Sequence, residues 1–247
     1  MRDRYLYEYR WIYRKEDRIA FFEEMGETAA AAGALVWKTF AAAMSAWLRK
    51  DLGAALALCD DAIALGPECA HSWNGMGNVL QSLKRYDESL AAYDKAIALD
   101  PEYAHPWINR GNVLKRLKRY DEALGAYDKA IALGPEYARP WINKGTVLTS
   151  QKHYDQALSA YERAVALDPA YSHPWNCKGN ALQSLGRCDE ALAAYEKAIA
   201  LEPDYPDPWN GKGDLLQTLK RYDEAQAAHA KAIALVRKSH PHEGGSR

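Results

Sequence analysis

Tryptophan recurs every 34 residues along this chain, at Trp73, Trp107, Trp141, Trp175 and Trp209. Proline keeps the same interval at Pro67, Pro101, Pro135, Pro169 and Pro203, and glycine keeps it at Gly77, Gly111, Gly145, Gly179 and Gly213. Three residue types holding one period through five units restrict the fold to a linear array. Each unit is then one supersecondary element that buries its apolar face against its neighbours.

Within a unit the pattern reads as two helices. In the stretch 104–137, Trp107, Gly111 and Leu114 are spaced i, i+4, i+7 and share one face of a first helix. Pro106 falls in its first turn, where a missing N–H leaves no bond unmade. Tyr120, Asp121 and Glu122 open a second helix with two carboxylates at its positive end. Ala123, Tyr127 and Ala130 form the buried stripe of that helix, and Pro135 ends it. Small residues at Gly111, Ala123 and Ala130 let the helices approach, while Trp107 and Tyr127 fill the space between them.

Trp107, Gly111, Leu114, Ala123, Tyr127 and Pro135 together resemble the tetratricopeptide repeat, and the resemblance runs from Ala70 to Leu235. It implies an all-α superhelical solenoid of antiparallel helix pairs, about six in number. One slot departs from the family pattern. Leucine before the glycine is replaced by Met76, Arg110, Lys144, Lys178 and Lys212, whose long stems can pack while their heads reach water. In the same register, 36–69 reads as a diverged repeat that keeps Ala55, Ala62 and Pro67 but has Thr39 for tryptophan and Ala43 for glycine. Residues 1–35 form an aromatic segment, either a diverged capping repeat or, from the alternation of Tyr5, Tyr7, Tyr9, Trp11 and Tyr13, an extended strand. Repeats follow over 70–103, 104–137, 138–171 and 172–205, then a C-terminal repeat over 206–237. Gln226 and His229 there replace leucine and tyrosine and wet the outer face, as a terminal repeat requires. The polar stretch 238–247 is expected to be a disordered tail.

Composition sets few further limits. Hydrophobic residues at 48% and charged residues at 26% suit an ordered globular chain, and a net charge of -1 supplies no long-range attraction for a polyanion. Cys59, Cys69, Cys177 and Cys188 form no C-x-x-C pair and read as reduced thiols of a cytoplasmic protein. The start Met1-Arg2-Asp3-Arg4-Tyr5 is too charged for a secretory signal. Thr28 to Leu48 has Lys38 as its only charge, but its alanine content favours a packed helix pair over a membrane span.

The resemblance implies that first helices line a concave groove. The slots expected to face solvent hold His71, Asn74, Asn78 and Gln81, then His105, Asn109, Asn112, Lys115 and Arg116, then Arg139, Asn143 and Thr146. His173, Asn176, Asn180 and Gln183 follow, then Asp207, Asn210, Asp214 and Gln217. An amide offers both donors and an acceptor, so a row of asparagines can hold a peptide backbone, as in the asparagine ladder of some superhelical members of the family. Asparagine also simply suits a solvated helix surface, and both readings stand at this point. The units starting at Ala70 and Ala104 match at 25 of 34 slots, and Asn74/Ile108, Gly75/Asn109, Gln81/Lys115 and Ser82/Arg116 are groove differences. Lys115, Arg116 and Arg139 make the middle basic and Asp207 and Asp214 the far end acidic, which suggests a ligand acidic at its centre. The carboxylate-gripping set of some family members is matched at Asn78, Asn109 and Arg139, but Asn74 and Asn143 stand where it needs cations.

Chemistry finds no foothold. His71, His105 and His173 lie in successive or separated repeats, too far apart to share a metal, and His240-Pro241-His242 is an unspecific tail motif. The acid pairs Asp87/Glu88, Asp121/Glu122, Asp189/Glu190 and Asp223/Glu224 complement helix dipoles. The preceding Lys84-Arg85, Lys118-Arg119 and Lys220-Arg221 read as a solvated ridge rather than a nucleic-acid patch. No phosphate loop or nucleophile elbow occurs. The expected function is a non-enzymatic scaffold without cofactor, binding an extended protein or peptide segment, with no nucleic-acid or membrane partner. The rival is a self-assembling structural protein that uses the N-terminal segment and the repeat ends.

Overall fold

In a computed structural model the described residues are 34–239. Twelve α-helices and no strand occur among them: α1 (Ala34–Leu48), α2 (Leu52–Leu65), α3 (Ala70–Ser82), α4 (Tyr86–Leu99), α5 (Ala104–Arg116), α6 (Tyr120–Leu133), α7 (Ala138–Ser150), α8 (Tyr154–Leu167), α9 (Ser172–Ser184), α10 (Cys188–Leu201), α11 (Pro206–Thr218) and α12 (Tyr222–Ser239). They fall into two compact units, the first ending at Leu133 and the second starting at Gly134. In the first unit α1 touches α3 and α3 touches α5, whereas α2, α4 and α6 do not meet one another among the described residues. In the second unit α7, α9 and α11 touch in succession and α8, α10 and α12 do not. Each unit therefore has first helices on its closed, inner side and second helices splayed outside.

The recurrent glycine and tyrosine explain each other. A methyl group at Gly111 would lie 2.5 Å from Tyr127 Cε1, at Gly145 2.5 Å from Tyr161 Cε1, and at Gly179 2.6 Å from Tyr195 Cε1. The phenol ring thus lies directly on the first-helix backbone. Tyr93, Tyr127 and Tyr195 are fully buried there, and Tyr161 is 2% exposed. The tryptophan and proline are coupled as well: Trp73 Nε1 donates to the Pro67 carbonyl at 2.8 Å, Trp175 to Pro169 and Trp209 to Pro203, both at 3.1 Å. Each indole pins the loop that enters its own helix.

Turns between paired helices use a left-handed residue. Lys50, Lys84, Lys118, Lys152 and Lys220 have φ between 59° and 68°, and Gly186 occupies the same slot at 73°. Lys84 N donates to Gln81 O and Arg85 N to Leu80 O, the double bond pattern that closes a helix C-terminus through a left-handed residue. The ridge arginines beyond it are neutralised locally. Arg85–Glu88, Arg119–Glu122, Arg187–Glu190 and Arg221–Glu224 form bidentate pairs, and hydrogen bonding from the guanidinium holds each of these carboxyls below its usual range.

The departing basic slot is also a packing device. Arg110 reaches Asp94 at 2.7 Å, Lys178 reaches Glu162 at 3.1 Å and Lys212 reaches Glu196 at 2.8 Å. Each acid stands on the second helix of the preceding pair. The stem packs inside the array and the head ties one pair to the next, instead of reaching free into water.

Residues 36–65 pair as α1 and α2, with Phe40, Ala43 and Met44 buried. Met44 and Phe40 press on Gly75, where an added methyl would meet them at 2.8 and 2.9 Å. No helix among the described residues is long and apolar enough to cross a membrane. The expectations for 1–33 and for 240–247, including His240 and His242, lie outside the described residues. The expected tail from 238 needs correcting at its start, because α12 continues through Ser239. Gln226 is exposed and His229 half-buried in the last pair, where His229 takes the tyrosine's place on Gly213. All four cysteines are free, and burial, with Asp60 adding to it, pushes the Cys59 thiol up to about 12.

Two stability outcomes follow. Gly111→Ala forces the Tyr127 ring off the helix and should destabilise the protein by about 2 kcal/mol in urea denaturation. Lys118→Gly relieves a left-handed L-residue and should stabilise by roughly 0.5 kcal/mol after glycine's extra chain entropy, with Gly186→Lys moving the midpoint the opposite way.

Candidate binding face on the first helices

The groove residues divide into three kinds. His71, Asn74 and Asn176, expected to face solvent, are 6%, 3% and 5% exposed. The slot of Asn74 and Asn176 is that of Ile108 and Ile142, both 4% exposed, so it points into the contact with a neighbouring pair. His71 is clamped between Trp37 and Tyr103, with ring centroids 5.0 and 4.5 Å away. Asn78, His105, Asn109, Asn112, Lys115, Asn143, Thr146 and His173 are half-buried. Arg116, Arg139, Asn180, Asn210 and Asp214 are exposed.

In the first unit the half-buried amides form a network. Asn109 Nδ2 donates to Asn74 Oδ1 and to Asn78 Oδ1, each at 3.0 Å. Asn74 Nδ2 reaches the Tyr103 hydroxyl at 3.4 Å. The buried Tyr93 hydroxyl donates to Asn78 Oδ1 at 2.8 Å and lies 3.1 Å from Gln81 Oε1. The motif repeats: Tyr127 donates to Asn112 Oδ1 at 2.9 Å, and in the second unit Tyr195 donates to Asn180 Oδ1 at 2.7 Å. Thr149 meets the Tyr161 hydroxyl at 3.2 Å, and His229 lies 3.6 Å from Asp214. The recurrent groove polar residue is therefore first of all the cap of a buried ring from its own pair. Asn180 and Asp214 keep exposed surface beyond that duty, whereas Asn74 and Asn109 spend their donors inside the fold.

The first unit also has a depression of about 300 Å³ on this face, lined by Trp47, Asn78, Gln81, Ser82, Lys84, Tyr86, Asn109, Asn112 and Arg116. Asn78, Gln81, Asn109, Asn112 and Arg116, all expected in the groove, are brought together there. Trp47 was not among them. It occupies the slot of Gln81 one period earlier, so the register of 34 was the signal that could have found it. Trp47 Nε1 donates to Ser82 Oγ at 2.8 Å. In the second unit Cys177 takes the slot of Asn109 and Asn143. Its Sγ lies 3.6 Å from His173 Nε2, and His173 Nδ1 is 3.1 Å from the Tyr205 hydroxyl. No cluster of metal-ligating side chains occurs among the described residues.

Family profiles described as tetratricopeptide repeat match residues 68–133, 102–170 and 206–237, and a further repeat profile of the same family matches 179–220. The chain belongs to the tetratricopeptide-repeat family, and its fold and family are those of a protein-interaction scaffold. The crystal structure of YrrB, described as a repeat protein of this family with an unusual peptide-binding site, is 28% identical, with a TM-score of 0.58 over 75% of this chain and 93% of that one. MamA from Desulfovibrio magneticus is 22% identical with a TM-score of 0.62, covering 69% of this chain and 97% of its own. PilF of Pseudomonas aeruginosa is 18% identical with a TM-score of 0.69, covering 93% and 95%. At these lower identities MamA and PilF share the fold. No curated protein sequence matches the chain.

The buried phenols carry a pH signature. Burial, as the leading cause, raises Tyr93, Tyr127 and Tyr195 above their ordinary value and pushes Tyr161 up to about 12. A phenol raised in the folded state stabilises fully below its unfolded value, near pH 10, and loses that contribution as pH rises toward the folded value. The thermal midpoint should accordingly fall steeply between about pH 10 and 12. Tyrosinate absorbance should rise together with the loss of helicity in that range, rather than before it.

Proposed function

We propose that this chain is a cytoplasmic scaffold or adaptor without catalytic activity. It holds an extended segment of a partner protein against the first-helix face, with neither nucleic acid nor a membrane as partner. One observation carries the reading. Exposed polar side chains with spare hydrogen-bonding capacity, Arg116 and Asn180 among them, collect on the closed side of each unit, while the arginines of the outer ridge are tied up by neighbouring glutamates. The likeness to YrrB agrees with a peptide as the occupant. Of the original groove set, Asn78, Asn112, Lys115, Arg116, Arg139, Asn143, Thr146, His173, Asn180, Asn210 and Asp214 belong to the reading as contact residues. His71, Asn74 and Asn176 serve it from within the fold, and His105 and Asn109 from its border.

Self-assembly is the second reading, and α12 favours it. Ile233 and Val236 on this last helix are 51% and 46% exposed, an apolar strip where another pair would pack in a longer array.

Affinity capture from lysate separates the two faces. Partners held by the wild type should be lost with Arg116→Glu combined with Asn180→Arg and kept with Lys95→Glu combined with Lys197→Glu, both variants retaining wild-type circular dichroism. Loss with the outer pair alone would move the site to the second helices. Light scattering that gives a concentration-dependent mass, abolished by Ile233→Glu, would favour self-assembly.

A further inference from the structure

The amides of the first unit have a direction. Asn78 Oδ1 accepts from both the Tyr93 hydroxyl and Asn109 Nδ2, which fills its lone pairs and leaves only the donors of its Nδ2. Asn112 Oδ1 accepts from the Tyr127 hydroxyl, and Gln81 Oε1 lies 3.1 Å from that of Tyr93. Burial raises the pKa of Tyr93 and Tyr127, so these phenols stay protonated. A flip of Asn78 would set its Nδ2 against that of Asn109, donor against donor. Asn78, which the sequence presents as neutral and two-sided, is thereby fixed with its acceptor inward.

The surroundings add charge of one sign. Lys84 and Arg116 line the same depression, no carboxylate lines it, and neither cation is ion-paired among the described residues. Lys84 is held at the rim by its left-handed turn. Asn109, with both N–H bonds used internally, supplies the opposite polarity through Oδ1, suited to a backbone N–H. Trp47, its N–H held by Ser82, closes one end with its ring.

We propose that this depression seats side-chain carboxylates of an extended acidic peptide, with Lys84, Arg116 and Asn78 Nδ2 as the donors and the Asn109 contact holding Asn78 with its donors outward. This rests on the groove reading and specifies its occupant. The seat lies where the first helices end, around the turn into α4, away from the buried Asn74.

Fluorescence anisotropy with labelled alternating Glu–Gly and Gln–Gly peptides tests it on the full chain. The Glu–Gly peptide should bind at least about tenfold more tightly, as charge-assisted hydrogen bonds require. Lys84→Gln with Arg116→Gln should level the two affinities, while Lys220→Gln, the same turn slot in the second unit, leaves the preference intact. Equal binding of both peptides to the wild type, or a preference that survives in the double variant, would overturn the seat and leave the groove standing. Binding of neither peptide would also overturn the seat, and partner capture then decides the groove separately.

Discussion

A tyrosine ring packed against a glycine backbone is the contact on which the rest of this structure depends. The ring from the second helix fills the space a Cβ would take, so the paired helices lie closer than side chains on both would allow. Close packing of this kind gives each pair one separation and one rotation. It also creates a problem, because the ring carries its hydroxyl to the edge of the first helix. The solution is an acceptor on the residue directly after the glycine: Asn78, Asn112 and Asn180 accept from Tyr93, Tyr127 and Tyr195. The groove's polar row is thus coupled to the core by a bond that an unmet buried hydroxyl would make costly to lose.

The links between pairs have a different character. Within a pair the contact is apolar and tight. Between pairs, Arg110, Lys178 and Lys212 lay their stems along the array and place their heads on acids of the preceding second helix. The acids are about half exposed, and ion pairs of that kind contribute little, roughly 0–1 kcal/mol each. They favour one register of pair on pair more than they hold the array together. Substituting the family's leucine with a cation is therefore compatible with stacking, provided the preceding helix carries an acid one period-adjusted position away, as Asp94, Glu162 and Glu196 do.

Function on such a frame is decided by what the first helices have left over. Asn109 illustrates the distinction. By type and spacing it belongs to a backbone-gripping ladder, yet both its donors are committed to Asn74 and Asn78. Asn180 has the same side chain and keeps exposed surface after capping Tyr195. Arg116, with no buried task, is free to define charge. A repeat protein can thus carry an almost unchanged framework and vary its recognition surface through a few positions, as the paired units at Ala70 and Ala104 do at Gln81/Lys115 and Ser82/Arg116.

The period of 34, the helix pairs, the loop prolines and the glycine–tyrosine complementarity were legible in the sequence, because each depends on residues close in the chain or repeated at one interval. The pairing of α1 with α2 was also within reach of the register, despite Thr39 and Ala43. Which polar first-helix slots face solvent was not. Helical spacing groups residues into stripes but leaves open how far the next pair rotates over them, and that rotation buries Asn74 and Asn176. The isoleucines at 108 and 142 carried this information, since one slot shared by isoleucine and asparagine is a slot the neighbour covers. The direction of each amide was decided by tertiary structure alone. Donor or acceptor outward at Asn74 and Asn78 is set by an amide 35 or 31 residues away, and no local sequence rule fixes how those partners meet.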